Sequence, residues 1–184
     1  MNKTWMIVLG VVVLLALYVG SSYNSLVSKN ETADAQWATV ETQYQRRFDL
    51  IPNLVNSVKG ILTQEQTIFT ALADARTRYS GATTPDAKAA AASEVEGALS
   101  RLLVVVENYP VIASSNNVRD LMSQLEGTEN RVSVERTRFN DAVRDYNLSV
   151  IRFPKSIVAS IFGFDERSYF EAKEGSDEVP TVNL

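Results

Sequence analysis

The chain has 184 residues and a net charge of −4, which fits one domain of ordinary size and offers no basic surface for nucleic acid. It contains neither cysteine nor histidine, so disulfides, zinc sites built on those residues and Ser/Cys–His–Asp triads are excluded. Ser–Lys and all-carboxylate sites have no supporting motif. Only 8 glycines and 5 prolines are present, too few for the turns of an all-β fold. We therefore expect a helical protein with no cofactor and no enzymatic activity.

The first element is an apolar N-terminal stretch, with no charged residue between Lys3 and Lys29. Extended to Tyr23, its core WMIVLGVVVLLALYVG has the ~20 residues that cross ~30 Å of hydrocarbon. We predict a retained membrane anchor over residues 1–22. Its core positions are Trp5, Leu9, Val13 and Leu17.

A cleaved signal peptide is the alternative interpretation of this stretch. It would need small residues before the cleavage site, and Tyr18, two positions before Gly20, is a poor one. Positive charges on the two sides of the span are nearly balanced, so the positive-inside rule is weakly informative. The expected topology is a membrane crossed once, with the short N-terminal tail inside and the rest of the chain translocated to the outside.

Four amphipathic helical stretches follow the anchor, and none shows the alternation of a half-buried strand. The first continues from the span as a coiled-coil-like heptad seam. Asn30 occupies one seam position. Either it fixes the register of the packed helices, or the membrane-proximal end of the helix is exposed to water and tolerates a polar residue. The seam positions are Tyr23, Leu26, Asn30, Ala33, Trp37, Val40, Tyr44 and Arg47. The other three stretches cover about 51–79, 87–108 and 118–153, and YP (109–110) and FP (153–154) end the last two.

The segment RRFDLIPN (46–53) carries the signals of a corner between the first two helices. Arg46 and Arg47 suit the last turn of a helix, because cations complement its C-terminal pole. Asp49 is placed to cap the next helix, and Pro52 fits its first turn, where no N–H is needed. The segment therefore predicts a helix–turn–helix corner that is also a candidate docking surface.

Long amphipathic helices with short connections are typical of an antiparallel up-down bundle. The predicted fold class is all-α, with one N-terminal transmembrane helix that continues into a four-helix bundle. We assign the bundle to residues 23–172, including a short amphipathic segment at 155–164. Residues 173–184 are predicted to be a flexible tail.

Several sequence blocks also resemble a known family. In chain order they are YNSLV (23–27), QRRFDLIPNLV (45–55) with VKG (58–60), YP (109–110), LEGTENR (125–131), FN (139–140), YN (146–147), RFP (152–154), GF (163–164) and YFEA (169–172). Together they resemble the LemA family of bacterial membrane-anchored proteins over roughly residues 5–172. The resemblance implies one N-terminal span, an antiparallel four-helix bundle and no known enzymatic activity. A magnetosome-forming branch of the family suggests a role in membrane shaping or organisation.

The charged motif TEN (128–130) lies within the fourth helix. If the first corner is at 46–52, Thr128, Glu129 and Asn130 lie too far along the bundle to meet Arg46 or Arg47. Their expected neighbours are then Lys59 and Arg101, in a buried polar layer that fixes helix register. Two alternatives are ordinary solvated charge and a metal site, but carboxylate metal bundles also use histidine, which is absent.

The segment KSIVASIFGF (155–164) has four apolar residues on one helical face. They are Ile157, Val158, Ile161 and Phe162. One interpretation is a helix that contacts the membrane surface. The other is a cap packed across the open end of the bundle. A second span is excluded by length and by the flanking charges.

These observations predict a membrane-anchored, non-enzymatic scaffold that binds other membrane proteins or copies of itself. The bilayer itself is a partner through the N-terminal helix, and the heptad seam is the expected surface for a homo-oligomer. The alternative is an accessory or sensory input domain that regulates a partner membrane protein. A hydrolase or metalloenzyme is disfavoured because the sequence offers neither a nucleophile–base pair nor a ligand set.

Overall fold

The structure is a computed structural model that describes residues 3–60 and 66–170. These residues form α-helices and no strand, which confirms the all-α class for the described part. The end of the predicted bundle domain and the predicted tail at 173–184 lie outside the described residues. The helices are α1 (Lys3–Val58), α2 (Gln66–Gly81), α3 (Pro85–Glu107), α4 (Pro110–Ala113), α5 (Asn116–Ile151) and α6 (Lys155–Phe162).

The helix boundaries follow local chemistry. Thr84 caps α3 by accepting a hydrogen bond from the Ala87 backbone N–H at 3.2 Å, and Pro85 occupies the first helical position. Pro154 lies shortly after the end of α5, as the sequence predicts. Gly163 ends α6 with a φ of 71°, a left-handed conformation that glycine adopts without steric cost.

The predicted corner at RRFDLIPN is wrong, because α1 continues through Pro52 to Val58. A proline inside a helix costs ~3 kcal/mol, since it removes one hydrogen bond and crowds the preceding turn. Phe48, Ile51, Leu54 and Val58 are all buried on one face of this segment. Burying each such side chain stabilises by about 1.5–3 kcal/mol. Four of them together outweigh the local cost of the proline.

The described residues divide into two compact units. The first unit contains residues up to 38 with 137–169, and the second contains 39–136 with Phe170. Thus α1 and α5 each contribute residues to both units.

The first unit contains the apolar start of α1, and its four predicted anchor positions are all exposed. An 18-residue window here has a mean hydropathy of 2.2 and is unburied, so α1 is long and apolar enough to cross a membrane. Beyond this window α1 packs against α5, where the rings of Trp37 and Phe139 lie 5.2 Å apart. Val158 and Ala159 of α6 pack on Leu26.

The second unit has a core made by α1, α2, α3 and α5. Its aromatic part joins Tyr44, Phe48 and Tyr79, with the rings of Phe48 and Tyr79 4.7 Å apart. The other buried apolar side chains recur at spacings of three and four, as predicted for these stretches. They include Leu72 and Ala75 of α2, Val95, Leu99 and Leu102 of α3, and Leu121, Leu125 and Val132 of α5.

Candidate functional site

A cluster of charged side chains lies inside the second unit. Arg47 of α1 is only 6% exposed. Its Nη1 lies 3.4 Å from Glu96 Oε1 of α3, and it forms an ion pair with Glu129 of α5. Arg136 of α5 pairs with the same carboxylate of Glu96, and its Nε donates a hydrogen bond to Tyr44 Oη at 2.8 Å. The cluster therefore joins α1, α3 and α5 through two arginines and two glutamates.

Aromatic rings cover one of these arginines. The guanidinium carbon of Arg136 lies 4.5 Å from the centre of the Phe170 ring and 5.3 Å from that of Tyr44. Cation–π contacts of this kind gain strength when the cation is shielded from water. Phe170 is itself buried. The end of the described chain thus helps to enclose the cluster.

Burial controls the protonation of the cluster. It raises the pKa of Tyr44 above its ordinary range, and the charge of Glu96 adds to this effect while Arg136 opposes it. Burial also raises the pKa of Glu96, against the lowering effect of Arg136. Tyr79 has its pKa raised to about 12, first by burial and then by the charge of Glu41. The shifts of Tyr44 and Tyr79 move both groups away from acting as bases at neutral pH, because the tyrosines hold their protons more firmly.

The charges of the cluster balance one another. Arg47 and Arg136 carry two positive charges, and Glu96 and Glu129 carry two negative charges. Arg47 Nε is the remaining buried polar atom of that guanidinium without a hydrogen-bond partner. A partly buried, internally neutral group of this kind can hold three helices in one register. Among the described residues, no group of three or more Asp and Glu is arranged to hold a metal ion.

The expected partners of Glu129 are wrong. Lys59 and Arg101 are exposed, as is Asn130, and Glu129 pairs with Arg47 instead. The error follows from the misplaced corner. Because α1 continues to Val58, Arg47 lies about 17 Å before its end, at 1.5 Å per residue. Glu129 lies at a similar distance, about 20 Å, from the start of α5.

The charged cluster of the structure therefore differs in its members from the predicted polar layer. Of the three residues of the TEN motif, only Thr128 is buried, and its hydroxyl donates to the Leu125 carbonyl of its own helix at 2.7 Å. The side chain of Glu129 remains 43% exposed. The residues that complete the layer, Glu96 and Arg136, were not singled out by the sequence analysis.

The predicted docking residues separate into exposed and buried positions. Arg46 and Asp49 are exposed, and Gln45 donates a hydrogen bond to Asp49 at 2.8 Å. Arg47 is buried in the charged cluster, so it cannot contribute to docking, and Pro52 is half-buried. An open groove in the second unit places Arg46 and Asp49 opposite α5. Its other lining residues are Leu50, Ser123, Gln124, Gly127, Thr128 and Arg131.

A second polar group lies in the first unit and holds the C-terminal strap, defined as residues 164–169. Asn147 bonds the strap backbone twice: its Nδ2 donates to the Arg167 carbonyl, and its Oδ1 accepts from the Arg167 N–H, both at 2.9 Å. Tyr146 donates to the Asp165 carbonyl at 3.0 Å. The Arg167 guanidinium donates to Asn30 at 2.8 Å, and the seam asparagine therefore binds the strap.

The heptad seam predicted for α1 is buried from Leu26 to Arg47, apart from the half-buried Asn30. In the first unit it packs on the protein's own α5 and α6, as the contacts of Trp37 and Leu26 show. These seam positions therefore pack within the chain, and self-association of the protein stays a prediction. Tyr23, at the start of the seam, is exposed at its edge.

The apolar face predicted for α6 is divided between two environments. Val158 is 3% exposed and packs inside the first unit, so it cannot contact a membrane. Ile157, Ile161 and Phe162 are exposed. This division reflects the width of the apolar stripe, which covers more than one side of a short helix.

One pattern in the sequence points to Glu96 and Arg136, the two cluster residues that the sequence analysis did not select. Arg136 lies four positions after Val132 and three before Phe139, so it occupies a position on the buried face of α5. Glu96 lies three positions before the buried Leu99 in the same way. A charged residue at a core spacing on two different stretches is a hint of a buried pair. The pairing itself needs the tertiary structure.

The comparisons agree with the resemblance seen in the sequence. The model of the LemA family matches residues 36–184. The chain is also 29% identical, over 196 residues, to magnetosome protein MamQ 2 of Paramagnetospirillum magneticum, and equally so to MamQ 1 of the same organism; these matches cover 92% of this chain and 72% of each relative. Magnetosome protein MamQ of Magnetospirillum gryphiswaldense is 28% identical over 181 residues, covering 84% of this chain and 66% of that protein. Since the family model matches most of its length, this chain belongs to the LemA family.

Proposed function

We propose that this protein is a non-enzymatic scaffold that is anchored in a membrane and presents a helical domain to other membrane proteins. One observation carries the proposal: the exposed apolar start of α1 continues without a break into a helical domain. In that domain the buried arginines and glutamates pair with one another. Because these charges pair within the domain, they stabilise its fold, and its exposed faces remain available to bind other proteins.

The architecture that fits this role is an antiparallel up-down four-helix bundle. In the first unit Lys29 of α1 donates to the Asp145 carbonyl of α5, and Trp37 meets Phe139. Position numbers thus rise along α1 while they fall along α5, which supports opposite directions for these two helices. The segments that join α2 to α3 (residues 82–84) and α3 to α5 (residues 108–115, which include α4) are short, as the connections of up-down bundles are.

The proposed location is the bacterial inner membrane, crossed once by the start of α1. The side of the membrane is part of the proposal, and we place the helical domain in the periplasm. The test is a pair of fusions after Leu184, to a periplasm-active phosphatase and to a cytoplasm-active fluorescent protein. Phosphatase activity alone supports the proposed side, whereas fluorescence alone reverses it.

Scaffolding also requires a binding surface, and the groove lined by Arg46 and Asp49 is our candidate. Both side chains are exposed, whereas the neighbouring Arg47 is held inside the protein. Each groove carries the cations Arg46 and Arg131 and the carboxylate Asp49. When two copies of the protein face each other, a cation of one groove can pair with the carboxylate of the other. We therefore propose that copies of the protein associate through this groove rather than through the buried seam.

The experiment compares Arg46→Ala/Asp49→Ala with the control Asp141→Ala/Arg144→Ala, which removes an exposed ion pair of α5. Each full-length protein is purified in non-ionic detergent, and its particle mass is measured by mass photometry after chemical crosslinking in the membrane. We expect oligomers of the wild type and of the control, and monomers of the groove variant. Monomer in every sample, or oligomers unchanged by the groove substitutions, contradicts self-association at this surface.

A further inference from the structure

We propose that α6 is a second membrane contact, with Ile157, Ile161 and Phe162 inserted into the surface of the bilayer that holds the anchor. The inference rests on the proposed membrane anchor and deepens it. It assigns to the exposed face of α6 a partner of defined chemistry, a lipid surface.

The inner side of α6 is firmly attached to the end of the apolar segment of α1. Val158 and Ala159 are buried against Leu26, with Val19 in the same apolar group. The ring of Tyr23 meets the edge of the Phe162 ring at 5.0 Å. These contacts fix α6 beside residues 19–26 of α1.

The position of those residues sets the depth of α6. A span that begins at Thr4 reaches about Tyr23 after ~30 Å of hydrocarbon, at 1.5 Å per residue. Tyrosine rings favour the boundary between lipid tails and headgroups, and the ring of Phe162 contacts that of Tyr23. Tyr23 and Phe162 therefore lie together at this boundary, and so does the helix that carries Phe162.

The outer side of α6 is apolar at that depth. Ile161 is 70% exposed, and Ile151 and Phe153, which precede α6 in the chain, are exposed as well. Elsewhere in the described residues beyond the anchor, no stretch of twelve residues holds more than three exposed large apolar side chains, which are Tyr23, Val104, Tyr109, Val111, Val134 and Tyr169. A cluster within twelve residues is the pattern of a binding surface.

Cations lie where a surface-bound helix requires them. Lys155, at the start of α6, donates to the hydroxyl of Ser25 at 2.9 Å, which holds its ammonium close to the membrane exit of α1. Arg152 is exposed beside it. Basic residues beside an apolar face attract anionic headgroups and strengthen surface binding. This arrangement favours a lipid surface over a second protein copy.

The absence of cysteine from the sequence makes a direct test simple. Single-cysteine variants of the full chain are labelled with a nitroxide and reconstituted into vesicles of phosphatidylcholine and phosphatidylglycerol. The variants are Ile161→Cys and Ile157→Cys on the proposed face, Leu14→Cys in the anchor, and Asp141→Cys as an exposed position on α5. Power saturation then compares accessibility to oxygen, which concentrates in lipid, with accessibility to a water-soluble nickel chelate.

We expect the ratio of oxygen to nickel accessibility at positions 161 and 157 to be several-fold higher than at position 141 and closer to that at position 14. A water-like ratio at both α6 positions, with a lipid-like ratio at position 14, overturns the surface contact and leaves the anchor standing. A water-like ratio at position 14 contradicts the anchor itself. Spin–spin broadening at position 161 that disappears on dilution with unlabelled protein assigns the face to a second copy and also overturns the proposal.

Discussion

The charged cluster of the second unit predicts a strong energetic coupling between Glu96 and Arg136. Replacing Arg136 with methionine removes an ion pair, the hydrogen bond to Tyr44 and the cation–π contact with Phe170. It leaves Glu96 charged and largely buried. Removing one partner of a fully buried pair costs ~3–5 kcal/mol. The two side chains are 18% and 21% exposed, so we expect a loss of about 2–3 kcal/mol in the free energy of unfolding.

The complementary change Glu96→Gln costs less, about 1–2 kcal/mol, because Arg136 keeps its contacts with Tyr44 and Phe170. The double variant leaves neither an unpaired carboxylate nor an unpaired guanidinium at this pair. Its loss should therefore be smaller than the sum of the single losses by about 1–2 kcal/mol. The measurement is urea unfolding of the full-length proteins in non-ionic detergent, followed by far-ultraviolet circular dichroism.

The control cycle uses Lys59→Met and Glu129→Gln, the pair that the sequence alone suggested. Lys59 is exposed and Glu129 pairs with Arg47, so we expect these two losses to add within about 0.5 kcal/mol. Additive losses for Glu96 and Arg136 would refute the cluster as described. Coupling between Lys59 and Glu129 would restore the corner at residues 46–52 and the depth calculation that depends on it.

Three further predictions use the same unfolding assay or a titration. Pro52→Ala restores an N–H inside a continuous helix and should stabilise the protein by about 1 kcal/mol or more; destabilisation would indicate that Pro52 starts a new helix. Asn147→Ala leaves two backbone groups of the strap unpaired and should cost about 1–3 kcal/mol, whereas the exposed Asp141→Ala should cost almost nothing; equal effects would mean that the strap is not held. The raised pKa values of Tyr44 and Tyr79 predict stability that is complete below pH ~10 and decreases as the pH rises toward about 12, because the unfolded chain releases these protons first. Ultraviolet absorbance should show that Tyr79 ionises near pH 12 in the folded protein, and ionisation at an ordinary pKa would contradict its burial.

Local patterns in the sequence were sufficient for the helical class and for most of the buried positions. Spacings of three and four place Leu26, Trp37 and Tyr44 on one side of α1, and all three are buried. Apolar burial dominates helix packing, so periodicity alone identifies the inner face. The uncharged run after Lys3 likewise identifies a helix suited to a bilayer, because its length and composition are local properties. The family also follows from blocks of sequence and needs no coordinates.

The tertiary structure decided where helices end and which charges meet. Pro52 carries the local signals of a corner, but the burial of Phe48, Ile51, Leu54 and Val58 outweighs them. This outcome moves the end of α1 to Val58 and makes Arg47, not Lys59, the partner of Glu129. A sequence contains the charges but not their distances, and an ion pair depends on contacts within a few ångströms.

The hydrogen bonds of the strap show most clearly that a sequence does not contain the distances between its residues. Asn30, Asn147 and Arg167 are far apart in the chain, and no periodic pattern connects them. Their hydrogen bonds require α1 and α5 to lie side by side and the chain to turn at Gly163. The sequence by itself determined the helical class, the apolar N-terminal helix and the family, because these follow from neighbouring residues. Only the tertiary structure decided the charged cluster, the strap and the exposed face of α6, because these follow from distances between residues that the chain keeps apart.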